Sequence, residues 1–199
     1  MATTTPNYGW PVPTSTDLVK DGATAIEALG DAIDATVFSQ ASALTLITTR
    51  TLTASSSEIF NNVFSTTYDN YKIIYAFEAG STVVNTIRLR VGGTDDTGAN
   101  YNHSSIQWQT TSAPGNNGGA NGATSALFNN QHATSGSRGF WEIQSPFLAK
   151  PTMGQRSGVY VTLADYGFFT HNLSTSYDGF TLTLGAATTG KISVYGFKK

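Results

Sequence analysis

From Val19 onward the chain repeats its apolar residues at helical spacing. Val19, Ile26 and Ile33 fall on one register and Gly22, Leu29 and Thr36 on the other. This is an a/d heptad pattern of about three repeats, flanked by Ala25, Ala28, Ala32 and Ala35. Ser15, Thr16 and Asp17 are good N-caps, the Asp21-Gly22 pair delays the expected start to about residue 22, and the helix should end near Val37 or Phe38. So narrow a stripe on so short a helix is marginal in water without partners. Val19, Ile26, Leu29 and Ile33 are therefore expected to form an oligomerisation seam between copies, with packing on the chain's own domain as the alternative. Ile at a and Leu at d favour two-stranded parallel coils, but Gly22 and Thr36 weaken the rule and leave the strand number open.

After residue 42 the period changes to two. Tyr71, Ile73, Tyr75 and Phe77 alternate along YDNYKIIYAFE, and Ile87, Leu89 and Val91 along NTIRLRVGG. Further strand-like runs are IQWQ (106–109), GFWEIQ (139–144), GVYVTLAD (158–165), GFFTHNL (167–173), GFTLTLGA (179–186) and KISVYGF (191–197), with a first strand near Leu44. Turn signals between runs at this spacing predict a mainly-β fold, an antiparallel sandwich or barrel over 42–199. Residues 97–137 hold no Asp, Glu, Lys or Arg and include APGNNGGANGATS, which reads as a long surface loop.

Ahead of the helix stands PNYGWPVP. Pro6, Pro11 and Pro13 fix φ and remove donors, so residues 1–15 read as an extended arm. Tyr8 and Trp10 on such an arm need a surface supplied from elsewhere.

Composition narrows the partners. Charged residues make up 12% of the 199, against roughly 25% in ordinary soluble domains. A net charge of −2 supplies neither a footprint for nucleic acid nor a polybasic membrane patch. There is no cysteine, no run of about 18 apolar residues and no charged n-region before an apolar h-region. These features lead us to expect no disulfide, no signal peptide and no membrane insertion.

Catalytic and metal-binding patterns are sparse. His103, His132 and His171 lie far apart, and TDDTGAN (94–100) misses the calcium-loop spacing and reads as a turn. No G-x-S-x-G elbow or P-loop occurs. Glu78, Glu142, Asp165 and Asp178 read as surface carboxylates at strand ends. The expectation is a non-enzymatic protein without cofactor or metal. What remains is aromatic and amide chemistry around the charge-free region, including Gln107, Gln109, Asn116, Asn117, Asn129 and Gln131. Rings that cover C–H faces and amides that satisfy hydroxyls suit neutral polar ligands such as sugars. The candidate contacts are Tyr101, His103, Trp108 and Asn130, with Trp108 as core the alternative.

PNYGWPVPTSTDLVKDGATAIEALGDAID resembles the N-terminal segment of tailed-bacteriophage virion proteins, especially fibre-like ones. FSTTYDNYKII, IRLRVGGTDDTGANY and the closing GKISVYGFKK are similar to the β-rich C-terminal domains of phage tail fibres and related receptor-binding proteins. The resemblance implies three parts: an attachment arm (1–15), a helical stalk (16–41) and a jelly-roll-like β-sandwich head (42–199), assembled as a homotrimer. Pro6, Tyr8, Trp10 and Pro11 would anchor it to a baseplate, tail adaptor or capsid, and the head would bind host-surface carbohydrate. It implies a short tail fibre exposed on the virion and made in the host cytoplasm, with a capsid-decorating or head-fibre protein as the alternative.

Overall fold

The computed structural model describes residues 3–14, 18–40, 43–110, 112–133, 136–160 and 163–199. It divides into two compact units, Met1–Ala43 and Leu44–Lys199. The expected caps Ser15, Thr16 and Asp17 lie outside the described residues.

In the N-terminal unit the arm is not extended. Thr3–Thr4 (β1) pairs antiparallel with Pro11–Val12 (β2), and Pro6, Asn7 and Tyr8 make the turn between them. Gly9, at φ +66°, takes the left-handed conformation that lets the Gly9 N–H reach the Thr5 carbonyl at 3.0 Å, while the Thr5 N–H donates to Trp10 O at 2.9 Å. The prolines therefore shape a tight hairpin rather than a polyproline path. A 3-10 turn, Val19–Asp21, leads into α1, Gly22–Gln40. The helix starts where the Asp-Gly signal placed it and runs two or three residues past the expected end.

The larger unit is mainly β and antiparallel. Its strands are β3 (Leu44–Phe60), β4 (Asn70–Ala79), β5 (Val83–Val91), β6 (Thr94–Asp95), β7 (Tyr101–Gln109), β8 (Ser112–Ala123), β9 (Ala126–Gln131), β10 (Ser137–Gln144), β11 (Thr152–Val159), β12 (Leu163–His171) and β13 (Gly179–Phe197). They form one curled sheet in the order β6-β5-β13-β4-β10-β11-β12-β7-β8, with β3 also on β13 and β9 on β5. The long strands β3 and β13 run through both layers. At Phe180 the β13 strand pairs with β5, from Thr188 onward with β4, and the register shifts between Thr183 and Gly190. Bulges there bend the sheet over on itself. Gly190 has φ +138°, and a Cβ would sit 2.0 Å from the Ala76 carbonyl oxygen, so only glycine fits the bend.

The core lies between the layers. Phe60 stacks on Phe180 at 4.5 Å, and Phe128 of β9 lies parallel to Trp141 of β10 at 5.5 Å. The Trp141 indole also donates to the Phe128 carbonyl at 2.7 Å, satisfying its one polar atom. Tyr71, Ile73, Tyr75, Phe77, Ile87 and Leu89 all point inward, as their alternation predicts.

Four strand expectations change. Residues 97–137 are not a long loop: they contain β7, β8 and β9, with the Gly/Asn stretch forming the edge strand β8. GVYVTLAD is not one strand; β11 ends at Val159 and β12 starts at Leu163. GFTLTLGA and KISVYGF are one strand, β13. TMGQRSGV is β11, and no apolar alternation marks it because its inward positions include Gly154, Arg156 and Gly158.

Candidate functional site

Along parts of β7, β11 and β12, large apolar side chains face outward. Outward residues are Ile106 and Trp108 on β7, Met153 and Val159 on β11, and Tyr166 and Phe168 on β12, all about half exposed. Register sets them side by side: Ile106 faces Tyr166, and Trp108 shares a row with Val159 through Ala164. A hollow of about 290 Å³ continues this face over β10 and β4, between Ile74, Phe140 and Val159. Lys72 Nζ stands 4.1 Å from the centre of the Phe140 ring. The cations here are matched, Lys72 with Glu142 at 2.9 Å and Arg138 with Glu78 at 2.9 Å. The Lys72 hydrogen bond, helped by one from Gln155, holds the Glu142 carboxyl below its usual range against the opposing effect of burial.

Inward on the same strands stand His103, Ser105, Arg156 and Asp165. Arg156 Nη1 and Asp165 Oδ1 are 2.9 Å apart, with both side chains buried. Both guanidinium Nη atoms and Asp165 Oδ1 lack a hydrogen-bond partner, so the contact is Coulombic rather than aligned. Glycines make the room: a Cβ on Gly167 would lie 2.9 Å from Arg156 Nε, and one on Gly139 would lie 2.6 Å from the Tyr75 hydroxyl. Burial, first, raises the Tyr75 phenol far above its ordinary value and lowers the His103 imidazole, which Arg156 lowers further. Both are therefore neutral at pH 7.

Asp165 connects this interior to a pocket. Its Oδ2 accepts from Asn130 Nδ2 at 3.0 Å, and Asn130 lines a cavity of about 250 Å³ with Thr82, Gln107, Gln131, His132, Tyr160 and Leu163. Gln131 is only 1% exposed. Its Oε1 accepts from Asn85 at 3.0 Å, whereas Nε2 has no partner. Burial, together with the nearby Tyr75 and Asp165, raises the Tyr160 phenol so that it stays a neutral hydroxyl. The cavity thus offers amides, hydroxyls and an imidazole beside one leucine. That lining can bind neutral hydroxyl-bearing groups.

The four candidate contacts do not form one site. Tyr101 is corrected to core: it is 0% exposed, with its hydroxyl accepting from Leu89 N at 2.8 Å and donating to Asp96 O at 3.2 Å. Trp108 is 48% exposed on the outer face, which removes the core reading. His103 turns inward toward Arg156, and only Asn130 lines the pocket. Asp165 was read as a surface carboxylate and is instead a buried one. Asn129 is also interior, donating to Ser137 Oγ at 2.7 Å and accepting from Asn85 at 2.9 Å. Gln131 stands among the amides that the sequence singles out, whereas Arg156 carries no signal as a single residue; what could mark it is a polar residue inside a run that the strands on both sides require.

The TDDTGAN turn is a lock. Asp95 pairs with Arg90 and accepts from Thr181 at 2.7 Å. Asp96 Oδ2 accepts from Tyr177 at 2.7 Å and lies 3.1 Å from His171 Nε2. Burial lowers the His171 pKa although Asp96 opposes the shift, so this contact is a hydrogen bond from a neutral ring. Burial alone would raise Asp96, but bonds from Tyr177, Gly98 and Asn100 outweigh it and hold the carboxyl below its usual range.

In the N-terminal unit the arm residues are partly occupied. Trp10 Nε1 donates to Thr36 Oγ1 at 2.9 Å, and Thr36 donates on to Ala32 O, so this d-position residue serves the chain's own hairpin. Tyr8 stacks on Trp10 at 5.0 Å and stays exposed. Pro6 is in the turn and Pro11 in β2. Of the seam residues, Val19 is 97% and Ile26 65% exposed, while Leu29 and Ile33 are half-buried. Among the described residues no helix is long and apolar enough to cross a membrane. No protein-family model matches the chain, and no curated protein or solved structure matches it either.

Proposed function

We propose that the chain is a non-enzymatic structural protein of a tailed-bacteriophage virion, a short trimeric fibre. Its N-terminal unit joins copies and docks on other virion proteins, and its β domain binds host-surface carbohydrate at the Asn130 pocket. The observation that carries the reading is the exposure of Leu18 and Val19 just ahead of α1 and of Ile26 and Val37 on it, large apolar side chains that a single chain leaves in water on a compact unit of its own. A helix of this length with bare apolar side chains is stabilised by copies of itself. Tyr8 is left as an exposed ring for docking. The amides, hydroxyls and imidazole of the pocket are of the kind that meets the neutral hydrogen bonding of carbohydrate. The bare outer face of β7, β11 and β12 favours the second reading, a capsid-decorating or head-fibre protein that uses this face against the shell.

Light scattering on the full chain and on Ile26→Asp tests the assembly. Ile26 is exposed in one chain, so the substitution spares the single-chain fold and should yield monomers. An unchanged oligomer would refute the helical seam. A glycan array probed with the full chain tests the head: binding supports the fibre, and an array blank at every glycan favours the decorating protein.

A further inference from the structure

We infer that the Asn130 pocket selects neutral sugars over acidic ones, and that Asp165 is the positioning residue that sets this preference. The inference rests on the carbohydrate reading above and adds its specificity. A carboxylate can only accept, so the 3.0 Å contact fixes Asn130 with Nδ2 toward Asp165 and Oδ1 turned away from it. No donor among the described residues reaches Oδ1. The Gln131 side chain is buried beside Asn129, where both accept from Asn85 Nδ2, and is sealed from the pocket. The pocket therefore presents one locked acceptor, Asn130 Oδ1, which a sugar hydroxyl satisfies by donating.

Charge decides which sugars can use it. Among the described residues the buried cation beside Asp165 is Arg156, and it already faces Asp165 at 2.9 Å. Tyr160 and Gln107 are neutral. A uronic or sialic carboxylate would enter a lining that, among the described residues, holds no Lys or Arg, and would approach the Asp165 carboxylate behind Asn130, losing its hydration without a Lys or Arg to pair with. A neutral hexose meets no such penalty. Asp165 touches no ligand itself; it acts by holding one amide in one orientation.

The experiment uses the full chain, labelled with ¹⁵N, and follows the side-chain amide signals of Asn130, assigned by their loss in Asn130→Ala. The probes are methyl glucoside, methyl galactoside and methyl mannoside against glucuronic acid and N-acetylneuraminic acid. In wild type at least one neutral glycoside should shift the Asn130 signals while the acids leave them in place. Asp165→Asn, checked for its fold by backbone signals, should move the Asn130 signals without ligand and weaken the neutral glycoside about tenfold or more. Should that variant unfold, Asn130→Asp, at a half-exposed position, should abolish neutral-sugar binding by setting a carboxylate against Asp165. Acids that bind as well as neutral glycosides would overturn the specificity and leave the carbohydrate reading standing. Neutral sugars that bind without moving Asn130 would place the site elsewhere. Silence from every probe, with a blank glycan array, would remove both.

Discussion

On β4 and β5 the alternate residues Tyr71, Ile73, Phe77, Ile87 and Leu89 point inward, whereas on β7, β11 and β12 the inward places are mixed: the rings of Tyr101, Phe169 and His171 join the core, and Ser105, Arg156, Asp165 and glycines stand beside them. The first half is held by burial of apolar area. The second adds to the buried rings of Tyr101 and Phe169 one ion pair, a few hydrogen bonds and the absence of side chains at Gly158 and Gly167. Its other large apolar residues, Ile106, Trp108, Met153, Val159, Tyr166 and Phe168, are about half exposed. This half therefore buries less apolar side chain, with the Asn130 pocket inside and an aromatic face outside.

The largest contrast is expected from a pair of tryptophans. Trp141 is fully buried against Phe128, so Trp141→Ala should lower unfolding free energy by about 3–5 kcal/mol in urea denaturation. Trp108→Ala, the same truncation on the outer face, should cost less than about 1 kcal/mol. Equal losses would mean that the two halves are not built differently.

Next is the ion pair. Removing one partner leaves a buried charge, so Asp165→Ala should cost about 3 kcal/mol, while Arg156→Met with Asp165→Leu should recover most of that loss. If the double variant is no more stable than the single one, Arg156 is compensated by groups other than Asp165. Recovered stability with lost sugar binding would separate the pair's structural role from its positioning role.

The two halves were also unequally legible. Where inward residues are apolar, the period of two located β4, β5 and β10 closely, and the heptad pattern with Asp21-Gly22 located α1. Where inward residues are glycine, arginine or serine, alternation disappears from the sequence. TMGQRSGV was invisible for this reason, and the charge-free stretch read as a loop although its backbone pairs in β7, β8 and β9. The hairpin at Pro6–Tyr8 depends on hydrogen bonds of Thr5, Gly9 and Trp10 that no periodicity encodes. Of the pocket lining, Gln107, Asn130 and Gln131 are among the amides that the sequence marks. Asp165 and Arg156 meet only through cross-strand register, which brings together residues distant in sequence.

Acid should act through the conventional lock at Asp96. The folded pKa of His171 is lowered by burial, so stability is full above the free-histidine value of 6.5 and falls as pH drops below it, because only the unfolded chain takes up the proton. Asp96 is also held low, which adds a second loss below its free value of 3.8 as the unfolded carboxyl protonates. His171→Gln should flatten the upper limb of a melting-temperature profile measured between pH 7 and 5. A limb of unchanged slope would assign that loss to other groups.

The smallest effect on stability, and the sharpest test of what the second half is for, belongs to Phe168 and Trp108. Both are about half exposed, on neighbouring strands whose pairing is made by backbone rather than by these side chains. Phe168→Ser together with Trp108→Ser removes apolar area that water already touches, so the urea midpoint should move by no more than about 0.5 kcal/mol equivalent. The face itself should change much more. Half-exposed rings beside Ile106, Met153 and Val159 form a contiguous apolar patch of the kind that binds hydrophobic dyes and marks contact surfaces. The double variant should lose most of the dye fluorescence of wild type while retaining its sugar binding, since the Asn130 pocket draws on neither residue. A large drop in midpoint would show that the rings stabilise the sheet after all, and the contrast between the halves would then reduce to their interiors. Lost sugar binding with an intact fold would move the carbohydrate site from the pocket to the outer face.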